Sequence, residues 1–385
     1  MISVAIIGTG AISDTHIQAF QHFGQRCRIT ALVNHHLARA EEKAARYGLD
    51  MPIYTSWQEM LNAQTPDLAS VCLPPYLHAS ASIDLLDAGV NVLLEKPMAP
   101  TLEECDAILQ AAGRSGRMLS VVAQNRYKTP LMKLKKVLDS GIIGRVVHAQ
   151  VDSYWWRGSN YYNLWWRGTW DKEGGGCTMN HAVHHIDLFQ WMMGMPTDLQ
   201  AVVSNLNHEN SEVEDFSLTV ARYPDGRLGQ ITASLVHHGE EQRLAFQGER
   251  ASVAVPWKVV ASTQRDNGFP VPDPETAGEI DDFYNSLPDL AYEGHLAQID
   301  NVLSVLAGQD ELLVDGWQGR NTIELVTAIY QSGFTGEQVA LPLPADSPYY
   351  TRESALKNAP HYHEKTRSVA GFADDAITLG SSYES

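Results

Sequence analysis

What this 385-residue chain has little of already closes several classes of function. No apolar run approaches the roughly 20 residues that a membrane-spanning helix needs. Cysteine is rare: Cys27, Cys72, Cys105 and Cys177 are scattered, with no Cys-x-x-Cys pair. That argues against a disulfide framework or a structural zinc site and fits a reducing compartment. Positive charge is short, 28 Lys and Arg against 46 Asp and Glu, for a formal net charge of −18. The average surface therefore repels nucleic acid and anionic membranes. The first residues, Met1-Ile2-Ser3-Val4-Ala5-Ile6-Ile7, carry neither the basic n-region of a secretory signal nor a twin arginine. The expectation is a cytoplasmic protein with no nucleic-acid or membrane partner.

What is present suffices for two packed domains: 44% of residues are hydrophobic and 19% charged. At the start of the chain, short β-rich runs alternate with amphipathic stretches. Ile2–Ile7, Ile29–Val33, Leu68–Leu73, Val90–Leu94 and Leu119–Ala123 read as strands covered on both faces. Helices are expected between them at His36–Tyr47, Leu77–Ala88 and Leu102–Ser115, each stopped by the glycine that follows. The alternation implies βαβ crossovers and a doubly wound parallel sheet. After Pro130 comes a helix, Leu131–Ser140, and then strands at 146–154, Leu199–Ser204, Phe216–Tyr223, Leu228–Leu235, Arg243–Gln247 and Ser252–Val255. Pro-Asp-Gly at 224–226 reads as a hairpin turn. Late helices are expected at His295–Leu306 and Arg320–Gly333. The expected class is α/β: a doubly wound Rossmann sheet over 1–124, and a C-terminal α/β domain with a large, open, mainly antiparallel sheet over 125–344. The polar tail, 345–385, is expected to be either disordered or docked on a neighbouring subunit.

Gly8-Thr9-Gly10-Ala11-Ile12-Ser13 joins the first strand to the first helix. Gly8 permits the tight turn, and Gly10 lets the backbone approach a pyrophosphate seated on the helix N-terminus. Ser13 replaces a third glycine and is small enough for close packing. Gly8, Thr9, Gly10, Ala11 and Ile12 are therefore expected to cradle a dinucleotide. Asn34 ends the second strand, where it can hydrogen-bond a ribose without repelling a 2′-phosphate. His35, His36 and Arg39 follow it. NAD is preferred, and NADP stays open.

Glu95-Lys96-Pro97 closes a strand at its carboxyl end, where ligands collect in open α/β sheets. Lys96 either stabilises developing alkoxide charge on a substrate or simply ends the strand at the surface. Gly174-Gly175-Gly176 leads into a helix on which Asn180 and His184, four apart, share a face. Histidine suits acid/base work near neutral pH, and Asp187 is placed to orient an imidazole or cap local structure. A metal site made of His181, His184, His185 and Asp187 lacks a further ligand cluster, and no metal is expected. The stretch 154–170 holds Tyr154, Trp155, Trp156, Tyr161, Tyr162, Trp165, Trp166 and Trp170, with Arg157 and Arg167 between them. It suits stacking on sugar C–H faces and bidentate polar contacts, or equally a subunit interface or core. His237 and His238 are candidates for the far wall.

Taken in order, the Gly-x-Gly start, Pro74-Pro75-Tyr76-Leu77-His78, Glu95-Lys96-Pro97, Gln124-Asn125-Arg126-Tyr127 and the triple-glycine segment with Asn180 and His184 resemble the glucose-fructose oxidoreductase/inositol dehydrogenase (Gfo/Idh/MocA) family. The resemblance spans roughly residues 1–343. It implies catalysis by Lys96 and His184, with Asn180 at the position of the family's aspartate. It adds His35, Leu73, Pro74, His78, Glu95, Lys96 and Gln124 to the cofactor contacts. With the reading of the aromatic stretch and of His237 above, the residues expected around the substrate are Lys96, Asn125, Tyr154, Arg157, Trp165, Arg167, Asn180, His181, His184 and His237. Asparagine cannot take a proton, so the base role shifts to His184, or to Lys96 with its pKa depressed by oxidised nicotinamide. The reaction implied is NAD(P)-dependent hydride transfer at a secondary hydroxyl of a sugar, glycoside or inositol-type polyol, in a homodimer or homotetramer. The alternatives are a redox-neutral sugar enzyme that uses bound NAD, or a non-catalytic sugar sensor.

Overall fold

Runs of Val, Ile, Leu and Ala too apolar to face water on either side build the first layer. The computed structural model describes residues 1–372 and Tyr383. Among these, β1 (Ile2–Ile7), β2 (Cys27–Val33), β3 (Ile53–Tyr54), β4 (Leu68–Val71), β5 (Asn91–Leu94) and β6 (Leu119–Val121) form a parallel sheet in the order β3-β2-β1-β4-β5-β6. Helices α1 (Ser13–His22), α2 (Leu37–Arg46), α3 (Trp57–Ala63), α4 (His78–Asp87) and α5 (Leu102–Ser115) accompany it. The strand order reverses between β1 and β4, which opens a crevice at their carboxyl ends. The two residues of β3 are too few to show any alternation in sequence.

The second layer is a sheet of β7 (Val146–Tyr154), β8 (Asp198–Ser204), β9 (Phe216–Arg222), β10 (Leu228–Ser234), β11 (Gln242–Gly248), β12 (Ala251–Val255), β13 (Lys258–Gln264), β14 (Pro270–Pro272) and β15 (Val339–Ala340). Its order is β14-β13-β12-β11-β7-β10-β9-β8-β15. The pairing is antiparallel except where β7 and β10 run parallel at the centre. The remaining helices are α6 (Thr129–Ser140), α7 (Trp170–Glu173), α8 (Cys177–Asn180), α9 (Val183–Met193), α10 (Pro274–Ser286), α11 (Gly294–Leu306), α12 (Gly316–Thr335) and α13 (Arg352–Asn358). No helix among the described residues is long and apolar enough to cross a membrane. The alternation of β8 and β9 buries Leu199, Ala201, Val203 and Ala221 and leaves Val202, Leu218 and Val220 exposed on the other face.

Three expectations change. The helix expected to carry Asn180 and His184 together is broken at His181–Ala182 into α8 and α9. The domain split at 125 is not clean, because Ile299, Val302 and Leu303 of α11 join the core of Ile17, Phe20 and Leu32 in the first domain. As far as Phe372 the tail makes contacts with its own chain that the sequence pattern does not foresee. Trp170 Nε1 donates to Pro360 O at 2.8 Å, Lys365 Nζ donates to Tyr162 O at 2.5 Å, and Val369 bridges Leu164.

A buried ion pair ties the pieces together. Arg126, fully buried, donates to Asp187 from Nε at 2.8 Å and from Nη2 at 2.7 Å, and Thr322 Oγ1 meets the same carboxylate at 3.2 Å. Among the described residues Asp187 therefore orients a guanidinium and no imidazole. It locks α9 and α12 to the short 3-10 turn at Gln124–Tyr127.

Candidate active site

The cofactor crevice begins at Gly8, whose φ of +96° and contact with Cys72 exclude a side chain; a Cβ there would lie 2.7 Å from the Cys72 carbonyl oxygen. At Gly10 a Cβ would meet nothing within 4 Å, so the protein leaves space above it. The N–H groups of Gly10, Ala11 and Ile12 find no acceptor among the described residues. These are open donors at the start of α1, as a pyrophosphate requires. Asn34 Nδ2 donates to Thr9 Oγ1, and its Oδ1 accepts from His36 N at 2.9 Å, which fixes the carboxyl end of β2 beside the glycine loop. His35 and His36 are exposed, with ring centroids 3.9 Å apart. Gln124 Oε1, just past the carboxyl end of β6, is buried with no partner among the described residues, an open acceptor. The residues present fit a bound dinucleotide.

Two of the expected cofactor contacts act at one remove. His78 is buried, with Nδ1 2.8 Å from Pro97 O and Nε2 2.8 Å from Leu73 O. Its ring pins the Leu73–Pro74 loop to the Lys96–Pro97 segment, whose peptide bond is cis. The Glu95 carboxylate is held by His16 Nε2 at 2.9 Å and His295 Nε2 at 3.3 Å. Burial pushes this carboxyl up, but the hydrogen bonds from His16 and His295 bring it well below the ordinary value. This His–Glu–His group is where potential metal ligands converge among the described residues. The set His181, His184, His185 and Asp187 does not converge, since Asp187 serves Arg126 and His185 turns to Ser153.

Lys96 and His184 line one cavity with Pro97, Met98, Val183 and Val314. Lys96 Nζ donates to the backbone carbonyl of Asn180 at 3.2 Å. Burial lowers the lysine pKa, against the pull of Glu95. Burial, and then the Lys96 ammonium, hold His184 well below its ordinary value of 6.5. His184 is thus a neutral imidazole beside an ammonium donor, the pairing that proton removal from a hydroxyl needs.

Asn180 has its own structural reason. Its Nδ2 donates to Gly175 O at 2.7 Å and Gly176 O at 3.3 Å, which a carboxylate cannot do. The triple-glycine loop is clamped from the other side by Glu214, which accepts from Gly176 N, Thr178 N and Tyr330 Oη, each at 2.9 Å. A Cβ on Gly176 would sit 1.8 Å from Glu214 O, so that glycine is required by close approach. Burial raises Glu214 to about 7 despite those three donors.

The substrate wall is built from part of the aromatic stretch. His181 Nε2 lies 3.3 Å from Tyr161 Oη, and its buried Nδ1 has no partner among the described residues. Burial, then Arg157 and Arg167, keep His181 neutral, well below 6.5. Trp155 meets His181 edge-on, with ring centroids 5.6 Å apart. Arg167 lies 4.2 Å over the Tyr161 ring, bonds its hydroxyl and pairs with Glu173 at 3.2 Å. Arg157 pairs with Glu240 and lies over Trp155 at 5.5 Å. Four expected residues, Trp165, Tyr154, His237 and His238, fall outside this wall. Trp165 is 43% exposed, with its backbone N–H on Val369 O. Tyr154 stacks on His237 at 4.1 Å, on the face of β7 opposite Ser153 and α9. His238 stacks on exposed Trp156.

The NAD-binding Rossmann-fold domain of the oxidoreductase family GFO_IDH_MocA matches residues 2–123, and the GFO/IDH/MocA C-terminal domain matches residues 131–254. The chain belongs to the Gfo/Idh/MocA family. It is an NAD-dependent oxidoreductase acting on CH–OH groups. This family member is 23% identical over 359 residues to D-glucoside 3-dehydrogenase of Escherichia coli (strain K12), covering 88% of this chain and 97% of that protein. It is 25% identical over 280 residues to levoglucosan dehydrogenase of Pseudarthrobacter phenanthrenivorans, covering 64% and 70% of the two. The solved structure of the WlbA dehydrogenase from Bordetella pertussis, in complex with NADH and UDP-GlcNAcA, aligns with TM-score 0.76 and 28% identity over 89% of this chain and 99% of that one.

Glu214, Tyr330, Arg126, His16 and His295 escape a reading of sequence. Glu214 sits in an acidic run, Glu212-Val213-Glu214-Asp215, that looks like a solvated turn before a strand. Its burial follows only from the tertiary position of the glycine loop.

Asn180→Asp should destabilise the fold by about 1–3 kcal/mol, because it sets a carboxylate against two carbonyl oxygens. Equal or higher stability in denaturant unfolding contradicts the assigned amide contacts. The raised Glu214 carboxyl holds its proton more tightly folded than unfolded, so its contribution to stability is present below about 4.5 and lost as pH rises through about 7. Glu214→Gln should flatten that part of the stability-against-pH curve, and an unchanged curve argues against the assignment.

Proposed function

We propose that this protein oxidises a secondary hydroxyl of a pyranoside or related polyol, with His184 as general base and Lys96 as the donor that stabilises the alkoxide. The observation that carries this reading is that Lys96 and His184 line one cavity, where burial and the ammonium hold the imidazole below its ordinary value. When bound, NAD supplies the hydride acceptor. His184 takes the hydroxyl proton, and Lys96, fixed by the Asn180 carbonyl, hydrogen-bonds the same oxygen as charge builds on it. The Tyr161–His181–Arg167 wall and Trp155 supply stacking and polar contacts to the sugar ring. Resemblance to D-glucoside 3-dehydrogenase and levoglucosan dehydrogenase supports a glucoside-like substrate.

The exposed apolar face of Val202, Leu218, Val220 and Leu228 supports a homo-oligomer formed face to face through this sheet. Val220→Glu should shift the chain to monomer in sedimentation. An unchanged mass rejects this face as the interface.

The activity test is absorbance at 340 nm with NAD or NADP against inositols, aldoses, sugar acids and glycosides. Reduction of NAD is expected with glycosides. Lys96→Ala and His184→Ala should each cut turnover by roughly 10²-fold or more, with NADH affinity retained. Full activity in either variant removes that residue from the mechanism. NADH binding without reduction by any compound in the panel overturns the dehydrogenase reading in favour of the redox-neutral or sensor alternatives.

A further inference from the structure

A residue from far down the tail packs between α9 and the 3-10 turn at Gln124–Tyr127. Tyr383 is buried, and its hydroxyl bonds His185 Nε2 and lies 3.5 Å from Asn125 Nδ2. The Lys128 ammonium stands 4.9 Å from the centre of its ring. His185 precedes no described catalytic contact of its own, but it follows His184 directly on α9, and Trp155 touches the rings of both His181 and His185, at 5.6 and 6.3 Å. Asn125 follows Gln124, whose Oε1 is open.

Proton counting fixes the direction of this network. Trp155 Nε1 can only donate, and it donates to Ser153 Oγ at 3.0 Å. Ser153 is fully buried, and the other partner of its hydroxyl among the described residues is His185 Nδ1 at 2.8 Å. A buried hydroxyl that left its proton unused would bear the full cost of desolvating that donor, so Ser153 donates to Nδ1. His185 is neutral, since burial and then Lys128 lower its pKa to about 3. Its single proton is therefore on Nε2, which donates to the Tyr383 oxygen. Asn125 Nδ2 can also only donate. The Tyr383 oxygen thus accepts twice, and its own proton is left with no acceptor among the described residues.

We infer that Tyr383 is a substrate-binding residue supplied by the tail, donating its phenolic proton to a sugar oxygen between Asn125 and His185. The inference rests on the sugar-dehydrogenase reading above. A donor of this kind favours sugars carrying an acceptor oxygen at that side and leaves the hydride step to Lys96 and His184.

The test uses the full chain with NAD and two probes, methyl β-D-glucoside and levoglucosan. Tyr383→Phe keeps the ring and removes the donor. For the better probe its KM should rise about three- to tenfold, with kcat within about twofold and NADH affinity unchanged. Tyr383→Ala should raise KM further. An unchanged KM in Tyr383→Phe, or a lowered KM in Tyr383→Ala, overturns the inference while the dehydrogenase reading stands. A wild-type chain inactive on both probes and on the wider panel removes the reading and the inference together. Independently of any substrate, ring ¹⁵N shifts of His185 in the wild-type chain should report a protonated Nε2 and a bare Nδ1. The opposite tautomer overturns the proton count on which Tyr383 depends.

Discussion

Water is largely withdrawn from a space shared by one ammonium, two imidazoles and two guanidinium groups, and the charge states of the site follow from that withdrawal. Burial alone lowers the pKa of His181 and His184, and Lys96, Arg157 and Arg167 lower it further. A protonated imidazole would be a further cation in a cationic, poorly hydrated place. Neutral His184 is therefore the resting state, and a base is available without a carboxylate to make it one. On the proposed mechanism, asparagine at position 180 is no obstacle, because the acid/base task falls to a residue that its surroundings already keep unprotonated.

The same desolvation has to be offset elsewhere, and buried carboxylates do it. Glu95 sits between His16 and His295 beneath the Lys96 backbone, Glu173 faces Arg167, and Asp187 holds Arg126 in a two-point pair. Each ties together elements from distant parts of the chain, so the charge balance of the pocket is also its scaffold. Glu214 differs, because among the described residues no cation pairs with it and it is held by backbone N–H groups and Tyr330. Its role is to fix the glycine loop from which Asn180 and the Lys96-binding carbonyl project.

Much of the fold was legible because it rests on local periodicity. The parallel strands lie within a residue or two of the apolar runs, apart from β3, which no run marked; glycine-stopped helices such as Leu102–Ser115 match the pattern end to end. The glycine loop at Gly8 and the Lys96–His184 pair were readable because turn chemistry and motif order are sequence properties. What could not be read depends on which face of a strand points inward. Tyr154 and Trp155 are adjacent and equally aromatic, yet only Trp155 meets the site, because the pleat sends Tyr154 to the other face with His237. The break at His181–Ala182 was hidden because no glycine or proline marks it, and it turns His181 towards Tyr161. Arg126, His16 and Tyr383 make contacts 61 to 258 residues away, beyond the reach of any window.

The measurement that bears most directly on this account is the pH dependence of kcat/KM for sugar oxidation at saturating NAD. A base kept neutral by burial and by Lys96 should hold activity well below pH 6.5, the ordinary histidine value, with the acid limb displaced to lower pH. Loss of activity centred at 6.5 or above would mean that His184 feels neither the burial nor the ammonium, and would contradict the account at its centre.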